Sequence, residues 1–388
     1  MNYDDAIHKV LRKTRLNMSM FSGEAAPVVT VNGSYAARAE SFYDRNHWTL
    51  SFLTGTVLHG FHATGELEFL RYVYGFADMY RHKAYDLSED TMHDLGFLYS
   101  LYSAALYQTT GDPGARRTAL KAADELAKRF LPLSGMIQAW DRMDELEKKD
   151  GATMIADTMM NLPLLLWAWK ETGNLYYKQV AMSHADTTAK YMVRSDGSIY
   201  HAYEFRTEDG APAGPRNYCG FGLESAWARG TAWAIYGFVL AYRYTGHAAK
   251  LDTALRLIAF YLSQLPDDGV PVWDFRLAAD RPRIKDVSAA AIAACALLEL
   301  SDMDAAKYGG YRKQAERMIE SLSSPFHLTD NEEIESSLVN FPDGTYSPEQ
   351  LAQYDRDSGG IGETGTVFGD YFYMEALMKL SGKSTFHW

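Results

Sequence analysis

Apolar residues recur at intervals of three and four along most of the chain, the spacing that lines one face of an α-helix. It predicts helices over 3–20, 48–63, 66–80, 92–109, 115–130, 162–172, 175–193, 224–245, 248–265, 287–300, 305–322 and 367–380, with no pair of central strands. Four junctions share one signature: Thr64-Gly65-Glu66, Thr110-Gly111-Asp112, Thr172-Gly173-Asn174 and Thr245-Gly246-His247. Glycine closes a helix in the left-handed conformation, and the polar residue after it starts the next helix. Before each such glycine the helix is apolar and aromatic; after it, the helix is amphipathic, with Arg, Lys and Glu on one face. That alternation describes helix pairs in which one member is buried all round and the other faces solvent. Six such pairs closed in a ring make an all-α fold, an (α/α)6 barrel, and the whole of 1–388 is expected to form one such domain.

The longer links, 81–90, 131–156, 194–223, 266–286 and 324–365, then fall on one side of the ring. They hold most of the Gly, Pro, Trp and charged residues, and long loops on a rigid scaffold are where binding sites sit. The inner helices begin near Trp48, Asp94, Asp157, Trp227, Asp286 and Thr366. Their partly positive N-terminal ends converge on that face and favour an anionic ligand.

Composition narrows the partners. With 47% hydrophobic and 23% charged residues the chain is an ordinary soluble globular protein. A net charge of −12 without any Lys/Arg run argues against nucleic acid. No apolar run is long enough to span a bilayer, so no membrane is expected. The N-terminus lacks a basic and an apolar leader region; a cytoplasmic location is expected, or a periplasmic one if a leader has been removed. Only two cysteines occur, and Cys295 lies in an alanine-rich apolar helix, so no disulfide framework is expected. Aromatics at 13% suit a cleft that stacks on sugar rings, although aromatics also fill cores.

The sequence lacks a GxGxxG fingerprint, a P-loop, an HExxH and a Cys-x-x-Cys. His59 and His62 have no acidic or cysteine partners nearby, and neither a metal nor a cofactor is expected. The sharpest stretch is Asp157-Thr158-Met159-Met160-Asn161-Leu162-Pro163, which runs into a strongly apolar helix. Pro163 fits a first turn and Asn161 can cap it, which leaves Asp157 at the mouth of an apolar pocket, where a raised pKa permits proton transfer. Asp94 stands in the same way at the start of the preceding inner helix. Neighbouring helices would bring both acids across one pocket, the apparatus of glycoside hydrolysis. The alternative is that both simply cap helices. His201 lies on a loop among aromatics. Arg229 and Trp233, four residues apart, share a helix face, where a guanidinium can meet a carboxylate and an indole can stack on a sugar. The alternative there is an arginine packed over the tryptophan. Trp48 and Trp140 offer further flat surfaces at loop–helix junctions.

The chain resembles the unsaturated glucuronyl hydrolases, glycoside hydrolase family 88. The resemblance rests on His93-Asp94-Leu95-Gly96-Phe97, on Asp157 to Leu165, on Gly197 to His201 and on Trp227-Ala228-Arg229-Gly230-Thr231-Ala232-Trp233. Gly269 to Phe275, Ser288 to Ala294 and Gly369 to Ala376 extend it along nearly the whole chain. It implies an (α/α)6 barrel and a cofactor-free enzyme acting on di- or oligosaccharides that end in a 4,5-unsaturated uronic acid. It implies Asp157 as general acid and then base, with Asp94 as its partner carboxylate. Trp48, His93, Trp140, His201, Arg229 and Trp233 match substrate contacts, and Cys219 stands where the family has glutamine. The segment 338–364 is longer and more acidic than the family's, and Asp343, Glu349, Asp355 and Asp357 are expected to disfavour highly sulfated fragments. Arg229, helix N-termini and a protonated His201 are expected to hold the substrate carboxylate. An unsaturated rhamnogalacturonyl hydrolase shares this chemistry; a sugar epimerase with paired histidine bases and a non-catalytic carbohydrate-binding toroid are the other readings.

Overall fold

The computed structural model describes residues 1–31, 33–148, 151–279, 283–325, 327–328, 365–383 and 388. The expectation for 338–364 lies outside them. The chain opens with α1 (Tyr3–Met20), followed by α2 (Leu50–Thr64), α3 (Leu67–Tyr74) and α4 (Ala77–Tyr85). Next, α5 (Leu95–Tyr99) passes through a π-helical turn, Ser100–Ala104, into α6 (Ala105–Thr110). Then come α7 (Pro113–Lys128), α8 (Leu162–Thr172), α9 (Leu175–Tyr191), α10 (Ala228–Thr245), α11 (Ala248–Ser263), α12 (Val287–Met303), α13 (Ala305–Leu322) and α14 (Val367–Leu380).

Helices α2, α5, α8, α10, α12 and α14 touch one another in that order, and α14 returns to α2, closing a ring. Against them lie α3, α7, α9, α11, α13 and α1 respectively. The fold is an (α/α)6 barrel. Burial separates the two layers: every residue of α12 from Val287 to Ser301 is buried, whereas α13 buries only Tyr308, Ala315, Met318, Ile319 and Leu322. The alanines of α12 let its neighbours approach, and removal of that apolar surface from water holds the inner ring together. Gly65, Gly111, Gly173 and Gly246 end their helices with φ between 67° and 76°, the left-handed region that the repeated turns require.

Two helices differ from the pattern. The predicted helix over 66–80 is broken after Tyr74, where the Gly75 amide folds back onto the carbonyls of Arg71, Tyr72 and Val73. The helix expected from 224 begins at Ala228. The Ala226 amide is taken by Asp274 and the Ala228 amide by the Trp273 carbonyl, so 224–227 stays outside the helix, with Trp227 extended in a bridge to Asp274. Periodicity also gave no sign of the short strands that organise the loops. These are β1 (Ala25–Pro27) with β2 (Ala39–Ser41), β3 (Phe130–Leu131) with β4 (Met136–Ile137), and an antiparallel sheet of β5 (Ala152–Ile155), β6 (Ala202–Phe205) and β7 (Pro212–Arg216). No helix among the described residues is long and apolar enough to cross a membrane.

Candidate active site

The sheet of β5 and β6 sets the first half of the site. Ile155 pairs with Ala202, and the Ala156 amide donates to the His201 carbonyl at 2.9 Å. The chain then turns through a short 3-10 helix, Ala156–Met160, which carries Asp157 toward the ring axis before α8 begins. His201 Nε2 lies 3.8 Å from Asp157 Oδ2.

Asn161 precedes α8 as expected, but its side chain makes no capping bond. It bridges instead to the neighbouring inner helix. Oδ1 accepts the Phe97 amide at 2.7 Å, while Nδ2 reaches Asp94 Oδ1 at 3.3 Å and the Asp157 carbonyl at 3.4 Å. This contact needs Gly96, because a Cβ there would fall 2.2 Å from the Asn161 Cα. The Asp94 side chain does not cap α5 either. The capping alternative therefore fails for both acids, and Asp157 Oδ2 is a buried oxygen with no hydrogen-bond partner among the described residues.

A cleft of about 480 Å³ opens over these residues, within the range of small-molecule sites. It is lined by His93, Asp94, Phe97, Asp157, His201, Trp227 and Arg229, by Arg45, Asn46 and Trp48 on one wall, and by Met92, Trp140, Asp141, Ile155 and Cys219. Burial pushes both acids up, Asp94 to about 8 and Asp157 to about 6. The charge of Asp157 adds to the shift of Asp94, and Arg229 restrains that of Asp157. Near neutral pH the pair thus holds a proton in a cleft where most of the surrounding side chains are buried, as acid–base chemistry requires.

Both flanking histidines are neutral. Burial drives His93 well below its ordinary range and His201 down to about 3, with Arg229 adding to the effect on His201. His201 Nδ1 accepts the amides of Tyr218 and Cys219, each at 3.0 Å, which assigns the proton to Nε2, facing Asp157. The expected protonated His201 is thereby corrected: a nitrogen accepting two amides cannot also carry a proton. His93 Nδ1 pairs with the Thr158 hydroxyl at 2.9 Å, and its Nε2 lies 3.5 Å from Asp94 Oδ1.

Arg229 reaches the cleft floor from the first turn of α10. Its Nη1 is held by Asp286 and Ser288, each at 3.2 Å, and its guanidinium lies 4.8 Å from the Trp227 ring. The stacking partner is therefore Trp227, not Trp233. One turn deeper, Trp233 is fully buried against Phe97 and Phe372 and does not line the cleft, which corrects its expected role as a sugar platform. Trp48 stacks on Phe368 with ring centroids 5.1 Å apart, and Trp140 stands edge-on to Tyr218 at 4.7 Å. Cys219 lines the cleft half-buried.

Several supports were not visible in the sequence. Buried Arg129 donates to the carbonyls of Thr91, Gln138, Trp140 and Asp141 at 2.8–2.9 Å, tying the segment before Asp94 to the loop of Trp140. Asp141 needs that hold, since its φ of 63° is costly for a non-glycine residue. Asp274 takes the amides of Phe221, Ala226 and Arg276 and so fixes the loop of Cys219. Among the described residues no group of three or more His, Cys, Asp or Glu lies close enough to hold a metal ion.

A helical toroid whose inner N-termini present two acids of raised pKa and several indoles in one cleft defines a carbohydrate-active enzyme of the barrel type. Comparison with known proteins gives the family. The model of Glycosyl Hydrolase Family 88 matches residues 29–346, and the chain belongs to that family. The unsaturated glucuronyl hydrolase of Bacillus sp. (strain GL1) is 33% identical over 390 residues, covering 100% of this chain and 98% of the relative. The unsaturated chondroitin disaccharide hydrolase of Streptococcus pneumoniae (strain ATCC BAA-255 / R6) is 31% identical over 99% of this chain and 93% of its own length. A solved structure of the unsaturated glucuronyl hydrolase from Bacillus sp. GL1 superposes with a TM-score of 0.85 at 32% identity, covering 97% of this chain and 96% of the other.

Proposed function

We propose that the chain, acting as one catalytic unit, releases a 4,5-unsaturated uronic acid from the non-reducing end of di- or oligosaccharides, with Asp157 as the group that moves the proton. The C4=C5 bond of such a sugar is an enol ether. Protonation at C4 by the Asp157 carboxyl leaves a cation shared between C5 and the ring oxygen. The resulting carboxylate then takes a proton from water as that water adds to C5. The hydrated ring is a hemiketal; it opens and expels the remaining saccharide. Asp94, held by Asn161 and raised further than Asp157, stays protonated and keeps a second negative charge out of the pocket.

The observation that carries this reading is the buried, unpartnered oxygen of Asp157 in a cleft with a second acid beside it. An oxygen left without a hydrogen bond costs stability and is available to a reacting group. A solved structure of the family carrying the saccharide dGlcA-Glc-Rha-Glc, 32% identical with a TM-score of 0.86, agrees in substrate class. The epimerase reading fares worse. It needs a histidine base, and the one nearest Asp157 is neutral with its free-facing nitrogen already protonated.

The test sets an unsaturated uronyl disaccharide beside its saturated counterpart. Only the unsaturated sugar should be consumed, with loss of the ultraviolet absorbance of its conjugated double bond. Equal consumption of the saturated sugar would assign the protein to direct glycosidic attack instead.

A further inference from the structure

The substrate of this site is an anion, yet the cleft is short of positive charge. Three carboxyls, Asp94, Asp141 and Asp157, line it against two guanidiniums, those of Arg45 and Arg229. Arg229 is already matched by Asp286, which is fully buried, at 3.2 Å. That pairing, with the buried neighbours it already serves, leaves Arg229 less charge to offer a ligand than an unpaired guanidinium has. His201 is neutral, as the two amides donating to its Nδ1 require, and burial keeps His93 neutral as well.

Arg45 is different. Its side chain is 32% exposed, its Nε has no hydrogen-bond partner among the described residues, and its contact with Asp90 is long, 3.7 Å, to a carboxylate itself 48% exposed. A pair this loose and this solvated contributes little and is readily exchanged. Arg45 also lines the cleft together with Asn46 and Trp48, so a guanidinium, an amide and an indole border the same space. That set matches the anionic edge, the hydroxyls and the flat face of a uronic acid sugar.

We propose that Arg45 is the anion-recognition residue of the cleft and takes a carboxylate or sulfate oxygen pair of the bound saccharide. This rests on the function proposed above. The anion is either the carboxylate of the unsaturated ring or a sulfate on the sugar next to it, and the two sources give different results below.

Affinity is measured by calorimetry on Asp157→Asn protein, so that recognition is read apart from turnover and stands or falls independently of the proposed reaction. Two ligands are used: an unsaturated uronyl disaccharide with an uncharged second sugar, and one with a sulfated second sugar. Adding Arg45→Gln should weaken binding of at least one ligand about tenfold or more, as loss of a charge-assisted contact does. Equal weakening of both identifies the uronate carboxylate, whereas weakening of the sulfated ligand alone identifies the sulfate. Arg45→Lys should restore part of the lost affinity, because it keeps the charge without the fork. Arg142, which pairs with Glu89 and Asp144 and does not line the cleft, provides the control through Arg142→Gln. A change below about twofold for both ligands with Arg45→Gln, or an equal loss with Arg142→Gln, overturns the proposal.

Discussion

Two of the three carboxyls of the cleft, Asp94 and Asp157, stand at the starts of neighbouring inner helices, and the protein treats them differently. Asp94 is held from one side by the Asn161 amide and the adjacent His93 ring. Asp157 keeps one oxygen buried without a hydrogen bond, faced at 3.8 Å by His201, and feels the positive charge of Arg229. The same residue type is thus a fixed, protonated wall at one position and a proton carrier at the other. Placement at a helix start sets neither role. What decides is the neighbouring charge on top of burial: Asp157 adds to the shift of Asp94, whereas Arg229 restrains that of Asp157.

The largest expected effect comes from removing the carrier. Asp157→Asn should keep the circular dichroism of the wild type and lose about a thousandfold or more in kcat. A folded variant with near-normal turnover would place the chemistry elsewhere. Asp94→Asn should cost less, about a hundredfold, and should also separate activity from stability. A carboxyl raised above its unfolded value contributes stability that is complete below about pH 4 and is lost as pH rises through its folded pKa. For Asp94 that loss runs up to about pH 8, so Asp94→Asn should be more stable than wild type at pH 8 by about 1–3 kcal/mol and not at pH 4. Thermal melts at the two pH values read this directly, and an equal effect at both would show that Asp94 is ionised in the native protein.

Asn161→Ala attacks the difference between the two acids. It frees the Phe97 amide and the Asp94 carboxyl together, and kcat/KM should drop about tenfold with a matching loss of about 1–2 kcal/mol in stability. A melt without the kinetic loss would reduce Asn161 to a helix tie. The smallest catalytic effect is expected at Trp233→Phe. Its ring packs beneath the cleft on Phe97 and Phe372, so stability should fall about 1–3 kcal/mol while KM stays within about threefold. A KM raised far beyond that would return Trp233 to the sugar-binding surface.

The fold was legible because its signals are local. A 3.6-residue period and a repeated Thr-Gly turn specify helix pairs without reference to distant residues, and α1, α8, α13 and α14 begin and end where periodicity puts them. The positions of Trp48, Asp94, Asp157 and Arg229 beside one cleft were legible for a related reason: inner-helix starts face one side of any such ring. Contacts across the ring were not. Asn161 reads as a cap in sequence and becomes a bridge only because Gly96 lets two helices nearly touch. Arg229 and Trp233 share a face in the helical count, yet one meets Asp286 from another helix while the other sinks into the core. His201 looks like a titrating residue until the turn after β7 brings two amides to its Nδ1. Each of these depends on partners at least 17 residues away in sequence, where no local pattern reaches.

The central claim is that one carboxyl, fixed on one side of the bound sugar, delivers the proton to C4. The direct measurement is turnover of an unsaturated uronyl disaccharide in deuterated water, with the released sugar examined by NMR before its ketone exchanges. Delivery by Asp157 predicts a single deuterium at C4, on one face only. Deuterium spread over both faces, or product without deuterium at C4, would contradict it.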